Sequence, residues 1–124
     1  MKQHKKVFCV EDNQQVAGLL KNQLEALGYL VCGIADNAPD AVAGIGKSQP
    51  DIALIDIELH GKFEGLDIGD FLVSKTDIPF IYLTAHDEPK ILEKARKTIP
   101  DGFLLKPFDH RQLHVAIEMA HRID

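Results

Sequence analysis

Short apolar runs alternate along the chain with longer stretches in which apolar residues recur every three or four positions. Five runs have the length of a strand, and they lie at residues 7–10, 29–34, 52–55, 80–83 and 103–105. They are almost continuously apolar, as expected for strands buried on both faces, whereas a strand with one solvated face would alternate. The pattern predicts five parallel strands separated by helices, which is an α/β fold.

The intervals between these runs have the periodicity of amphipathic helices. A first helix is predicted from Val16 to Leu27, with Gly28 as its stop, and a second opens at Asn37 and Pro39. The third ends near residue 75 and the fourth, whose periodicity is weakest, covers about residues 88–98. A fifth begins at residue 109, where an aspartate can form a capping box with a glutamine three positions on.

Length and composition describe one ordinary globular unit. The chain has 124 residues, of which 45% are apolar and 27% charged, so a single domain over residues 1–124 is expected. A formal charge of −5 argues against direct binding to nucleic acid. No apolar run approaches the length of a membrane span and no signal peptide is recognisable, so a cytoplasmic protein is expected. Cys9 and Cys32 lie in apolar runs and are interpreted as small buried hydrophobic residues.

Residues able to bind a cation or a phosphate follow four of the five runs. Glu11 and Asp12 come after the first, Asp56 after the third, Thr84 ends the fourth and Lys106 follows the fifth. In doubly wound sheets ligands bind at the carboxyl ends of the strands, where the strand order reverses. Three carboxylates in one crevice repel each other and, as hard oxygen ligands, favour Mg²⁺, while lysine and threonine suit phosphoryl oxygens.

Taken singly, each of these residues has a simpler explanation. A lysine at a strand end is ordinarily a solvated charge, a threonine there is a good strand former, and an aspartate after a strand often caps the next helix. Their joint placement at the same ends of the strands is what favours a functional site.

Four motifs carry a resemblance to a known family. They are Val10-Glu11-Asp12, the run 51–56 that ends in Asp56, Leu83-Thr84-Ala85, and the run 103–108 that contains Lys106-Pro107. In this order and spacing the chain resembles a receiver domain of bacterial two-component response regulators, over essentially its whole length. The resemblance implies a flavodoxin-like fold, a doubly wound (βα)5 sandwich with a five-stranded parallel sheet of order 2-1-3-4-5.

The resemblance also implies the chemistry. Asp56 would receive a phosphoryl group from a histidine kinase or a phosphotransfer protein. Asp12, Asp56 and the backbone carbonyl of Glu58 would bind Mg²⁺, and Glu11 would act mainly through metal-bound water. Lys106 would pair with the free carboxylate and then with the phosphoryl oxygens, after a Lys-Pro bond that is typically cis in this family. Such a domain is a signalling phosphoacceptor that catalyses only its own phosphoryl transfer and dephosphorylation.

Further positions are assigned to switching and to the lifetime of the phosphoryl group. Thr84 would hydrogen-bond the phosphoryl group and let Phe103 turn inward, which would alter the face formed by helix 4, strand 5 and helix 5. Glu58 and His86 flank the expected path of the hydrolytic water. Phe103 lacks the hydroxyl that a tyrosine would offer to a partner, and the loop after Asp56 carries a one-residue insertion relative to many receivers.

Other polar and apolar residues leave alternatives open. Four histidines are interpreted as solvated rather than metal-binding: His60, His86, His110 and His114. Apolar residues outside the inward stripes of helices 4 and 5 are either ordinary surface residues or a partner or homodimer surface: Ile91, Leu92, Ala95, Ile99, Val115 and Met119.

Three rival functions are weaker. Asp56-Ile57-Glu58 is similar to the nucleophile of haloacid-dehalogenase-like phosphohydrolases, but the second aspartate is missing. A receiver that has lost its chemistry conflicts with the complete set of site residues. A nucleotide-binding module lacks the Gly-rich turn after the first strand. Because the receiver uses the whole chain, the output is expected in another molecule or a missing segment.

Overall fold

The computed structural model describes residues 5–120, in which five strands and five helices alternate. The strands form one parallel sheet of order β2-β1-β3-β4-β5, which confirms the predicted flavodoxin-like fold. In chain order the elements are β1 Lys6–Val10, α1 Gln14–Ala26, β2 Leu30–Ala35, α2 Ala38–Ser48, β3 Ile52–Asp56, α3 Glu64–Lys75, β4 Phe80–Thr84, α4 Pro89–Lys97, β5 Gly102–Leu105 and α5 His110–Met119.

The helix boundaries follow from local signals in the sequence. Asn37 caps α2 by accepting a hydrogen bond from the Asp40 amide at 2.9 Å. Asp109 and Gln112 form the predicted capping box of α5, with hydrogen bonds of 2.8 and 2.9 Å. Gly28 follows α1 at a φ of +94°, a conformation that glycine adopts without a steric penalty.

The sheet separates two apolar cores. One lies against α2, α3 and α4 and includes Phe8, Ile55 and Tyr82, and the other lies against α1 and α5 and includes Leu54 and Leu83. All ten residues of β3 and β4 are buried, as the continuous apolar runs predict. The same prediction is wrong for the edge strands, because β2 and β5 each have a neighbour on one side only.

Exposure also corrects the prediction for α4. Ile91 and Ala95 are buried, so they belong to the core and not to the surface. The apolar residues that remain exposed on α4, β5 and α5, or just after α4, are Leu92, Ile99, Leu105, Val115 and Met119.

The strand order places a crevice at the carboxyl ends of β1 and β3. The chain leaves β1 toward β2 on one side, whereas β3 lies on its other side, so the loops that follow β1 and β3 diverge there. The Lys106-Pro107 peptide at the same end of the sheet is cis. Within residues 5–120, no helix is both long and apolar enough to cross a membrane.

Candidate functional site

Three carboxylates converge at this crevice. Glu11 directly follows β1, Asp12 comes next, and Asp56 is the last residue of β3. One side-chain oxygen of each lies within 4.8 Å of the others. Glu11 is 4% exposed and Asp56 7% exposed, so their charges are poorly screened by water. Such a set of hard oxygen donors suits Mg²⁺.

Lys106 bridges two of the three carboxylates. Its Nζ lies 2.7 Å from Asp56 Oδ2 and 3.0 Å from Glu11 Oε1. Burial favours the neutral amine, but these two partners outweigh it and raise the pKa of Lys106. Burial raises the pKa of Glu11, although hydrogen bonds from the Asn13 amide and from Lys106 act in the opposite direction. Lys106 is therefore a fixed positive charge among the carboxylates.

Asp12 is oriented by the loop that follows β3. Its Oδ2 accepts a hydrogen bond from the His60 amide at 2.8 Å, which lowers the pKa of this carboxyl. His60 and Gly61 both have positive φ, of 53° and 76°, and the two residues that flank them exchange backbone hydrogen bonds. Because both central residues have positive φ, this is a two-residue turn of type I′.

Asp56 and Glu58 are linked through the backbone. The Glu58 amide donates to Asp56 Oδ1 at 3.1 Å, so the two oxygens of Asp56 have separate partners. The Glu58 side chain forms a close ion pair with His86 Nε2, and this contact, together with Glu88, raises the pKa of His86 against the opposing effect of burial. The sequence places Glu58 and His86 on the two sides of the site, but it does not predict that they touch.

Thr84 is hydrogen-bonded both to the loop that follows it and to the residue after β5. It is fully buried, its Oγ1 accepts a hydrogen bond from the His86 amide at 3.0 Å, and its carbonyl accepts one from the Lys106 amide at 2.8 Å. Among the described residues its hydroxyl donates to no partner. Phe103 lies further along, half-buried, with its ring centroid 6.3 Å from that of Tyr82 in an edge-on arrangement.

An open cavity of about 220 Å³ lies over these groups. Seven residues line it: Asp12, Asp56, Glu58, Gly61, Ala85, His86 and Lys106. Gly65 allows α3 to approach the same strand end, because a side chain there would collide with the backbone of Asp56 and lie 2.6 Å from Ile57 Cα. The sequence pattern does not reveal the role of Gly65, because that role depends on a contact between two elements.

Comparison with known proteins identifies the family. The family model of the response regulator receiver domain matches residues 7–118. The chain is 31% identical over 118 residues to the transcriptional regulatory protein KdpE of Staphylococcus aureus, which covers 95% of this chain and 50% of KdpE. It is 29% identical over 116 residues to PdtaR of Mycobacterium tuberculosis, covering 94% of this chain and 56% of PdtaR. The chain therefore belongs to the response regulator receiver family, and it spans about half the length of these relatives.

Solved structures agree with this assignment. The signal receiver domain of a modulated diguanylate cyclase from Desulfovibrio desulfuricans G20 is 37% identical and superposes with a TM-score of 0.88, covering 95% of this chain and 94% of that one. Receiver domains of two-component response regulators are signalling domains rather than conventional enzymes, are phosphorylated by histidine kinases and are often linked to output domains. They bind Mg²⁺ at an acidic pocket, and this chain has such a cluster in Glu11, Asp12 and Asp56.

Proposed function

We propose that this chain is the phosphoacceptor receiver of a two-component phosphorelay and that Asp56 receives the phosphoryl group from a histidine kinase or a phosphotransfer protein. The observation that carries the proposal is the position of Asp56, a buried carboxylate at a strand end, paired with Lys106 and open to the cavity. The family match favours this function over a phosphohydrolase. A cytoplasmic location belongs to the proposal, because histidine kinases draw on cytoplasmic ATP. The domain limits 1–124 stay a prediction.

The donor set of the site fits Mg²⁺. Asp12, Asp56 and the backbone carbonyl of Glu58 would hold the ion, and Glu11, which pairs with Lys106, would act mainly through metal-bound water. When bound, the ion neutralises the carboxylates and the entering phosphoryl oxygens. The His60 amide keeps Asp12 ionised and oriented, since it lowers the pKa of that carboxyl.

Phosphoryl transfer on this site is a displacement at phosphorus. An Asp56 oxygen forms the new P–O bond while the P–N bond of the phosphohistidine breaks, and the electron pair of that bond returns to the donor imidazole. Lys106 exchanges its contact with Asp56 Oδ2 for the phosphoryl oxygens as charge develops on them. The chain contributes position and charge, and the donor supplies the free energy.

The proposed switch begins at the hydroxyl of Thr84. The Thr84 hydroxyl accepts from the His86 amide, and among the described residues its proton has no acceptor, so it can bond a phosphoryl oxygen. A shift of Thr84 toward the phosphoryl group would open space for Phe103 and bias a pre-existing equilibrium of the α4, β5 and α5 face. Glu58 and His86 stand across the cavity and would tune the lifetime of the acyl phosphate.

The direct test is labelling with acetyl phosphate and Mg²⁺, followed by intact mass spectrometry. We expect a gain of one phosphoryl group that is lost in Asp56→Asn and in the presence of EDTA. Absence of label in the native chain, or steady turnover of a small phosphomonoester, would overturn the proposal. Lys106→Ala should keep the fold but separate labelling from rearrangement of the α4, β5 and α5 face. A variant that still rearranges on labelling contradicts that role.

The surface that receives the signal is the α4, β5 and α5 face, where exposed apolar side chains offer contact area for a downstream partner or output domain. Val115 is 58% and Met119 70% exposed on α5, and Ile99 is 68% exposed just after α4. A second copy of the chain is one possible occupant. Sedimentation with and without beryllofluoride and Mg²⁺ tests it, because an unchanged monomer excludes dimerisation driven by phosphorylation.

A further inference from the structure

Tyr82 lies in the middle of β4, two residues before Thr84 and on the same face of the strand. The residue is fully buried, and its ring packs edge-on against Phe80 at 5.4 Å and against Phe103 at 6.3 Å. It therefore contacts the aromatic residue assigned to switching and shares a strand with the threonine that would start the switch.

The hydroxyl of Tyr82 reaches the end of α4. It lies 2.5 Å from Thr98 Oγ1, and that hydroxyl in turn donates to the Ala95 carbonyl at 2.6 Å. Because a threonine hydroxyl has one proton, Tyr82 is the donor in the first of these bonds. Burial raises the pKa of Tyr82 to about 12, so the phenol keeps that proton. Thr98 is the C-terminal cap of α4.

Gly69 on α3 provides the space for this hydroxyl. A side chain at that position would collide with the Tyr82 oxygen and would come within 3.0 Å of the Phe80 ring. The tyrosine therefore fits between α3 and α4 only because the facing residue has no side chain.

Few other contacts hold α4 in place. Of its nine residues, Ile91 and Ala95 are the ones buried in the core, and three of the last four are charged. The helix begins at Pro89, shortly after Thr84 and His86, and ends at the Tyr82 bond. The N-terminal end of α4 therefore follows the loop after Thr84, whereas its C-terminal end is bonded to the middle of β4.

We propose that Tyr82 is a positioning residue that anchors the C-terminal end of α4 to β4, so that switching moves the N-terminal end of the helix about this fixed point. The movement about this fixed point, called the pivot, rests on the proposed function. The Tyr82–Thr98 hydrogen bond, called the anchor, is present in the unmodified protein. The Tyr82 ring packs against Phe103, and the Tyr82 hydroxyl makes the bond that holds the end of α4.

Hydrogen exchange measured by mass spectrometry tests the anchor in the unmodified protein. The Thr98 and Ile99 amides donate to carbonyls of the last turn and report on this end of the helix. In Tyr82→Phe they should exchange about fivefold faster, the change expected for loss of one hydrogen bond. In Thr98→Val the acceleration should be at least as large, because this variant also loses the bond to the Ala95 carbonyl. Thr98→Ser keeps the hydroxyl and should retain the slow exchange of the native chain. Tyr29→Phe removes the other tyrosine hydroxyl, which bonds Glu118 on α5, and is the matched control.

The same peptides, measured with beryllofluoride and Mg²⁺, test the pivot. In the native chain the change in exchange should be confined to residues 85–92, and in Tyr82→Phe it should extend to residue 99. Unchanged exchange at residues 98–99 in Tyr82→Phe, or an equal effect in Tyr29→Phe, overturns the anchor. A uniform response along α4 in the native chain overturns the pivot. If acetyl phosphate leaves Asp56 unlabelled, the proposed function fails together with the pivot, while exchange in the unmodified protein still decides the anchor.

Discussion

Replacing Lys106 with methionine removes the one ammonium that bridges Asp56 and Glu11, while the aliphatic part of the side chain stays. Lys106 Nζ lies within 3.0 Å of both carboxylates, and the two are almost fully buried. Without it the carboxylates face each other with little screening. The variant should therefore be less stable for an electrostatic reason rather than through lost packing.

The size of this loss follows from the geometry of the carboxylates. Two unit charges separated by at most 4.8 Å repel by at least about 3.5 kcal/mol at an effective dielectric constant of about 20. Water near the cavity screens part of this, and Glu11 can bind a proton, which limits the loss further. We expect the free energy of unfolding to fall by about 2 kcal/mol near neutral pH, a loss that a domain of ordinary stability tolerates.

The loss should depend on pH in a defined direction. Burial already raises the pKa of Glu11, and the variant loses the opposing effect of Lys106, so this pKa rises further above its value in the unfolded chain. The folded state then binds the Glu11 proton more tightly, so stability is retained below the unfolded pKa and is lost as pH rises through the folded pKa. The deficit of Lys106→Met relative to the native chain should thus be smaller near pH 5 than near pH 7.

Urea unfolding at both pH values, with and without Mg²⁺, measures this deficit. Lys47→Met is the matched control, because Lys47 is exposed and has no ion pair within the described residues. Mg²⁺ should stabilise Lys106→Met more than it stabilises the control, because the control keeps the ammonium that already balances part of the carboxylate charge. An equal deficit at both pH values with no response to Mg²⁺ would refute the electrostatic explanation.

Three further predictions concern single contacts. Gly65→Ala should lower the melting temperature by several degrees, because the new methyl group meets the backbone after β3, and an unchanged melting temperature would contradict that contact. Glu58→Gln should lower the pKa of His86, measured by an NMR titration with EDTA, and an unaltered titration would refute the pairing. In the native chain the raised pKa of His86 stabilises the fold at low pH, and this stabilisation is lost as the pH rises through that pKa. Burial raises the pKa of Cys9 to about 12, so iodoacetamide should modify half-buried Cys32 first, and equal rates would contradict this burial.

The fold was largely predictable because burial on both faces leaves a direct mark on the sequence. The runs at 52–55 and 80–83 correspond to β3 and β4, which are entirely buried. The strand order was not derivable from residue patterns, because it depends on how the crossovers pack, and it came instead from the resemblance. The surface of α4 was misjudged at Ile91 and Ala95, since the periodicity of a short, highly charged helix does not specify which apolar residues face the core.

The candidate site was predictable where its residues follow strands and not where contacts join two loops. Strand polarity alone brings Asp56 and Lys106 to the same end of the sheet. Glu58 and His86 meet only because the loops after β3 and β4 turn toward each other, and a contact across 28 positions leaves no local signal. Gly69 likewise makes sense only once Tyr82 is seen opposite it.

The charges of the site explain why we expect phosphorylation of Asp56 to move neighbouring groups. Three carboxylates and one ammonium leave two net negative charges, which Mg²⁺ would balance. In the proposed acyl phosphate, Asp56 exchanges one negative charge for about two and gains several acceptor oxygens. Lys106 already faces that position, and in the proposed switch the additional donor is Thr84, whose proton has no acceptor among the described residues. Because Thr84 ends β4, we expect its response to reach first the elements that β4 contacts.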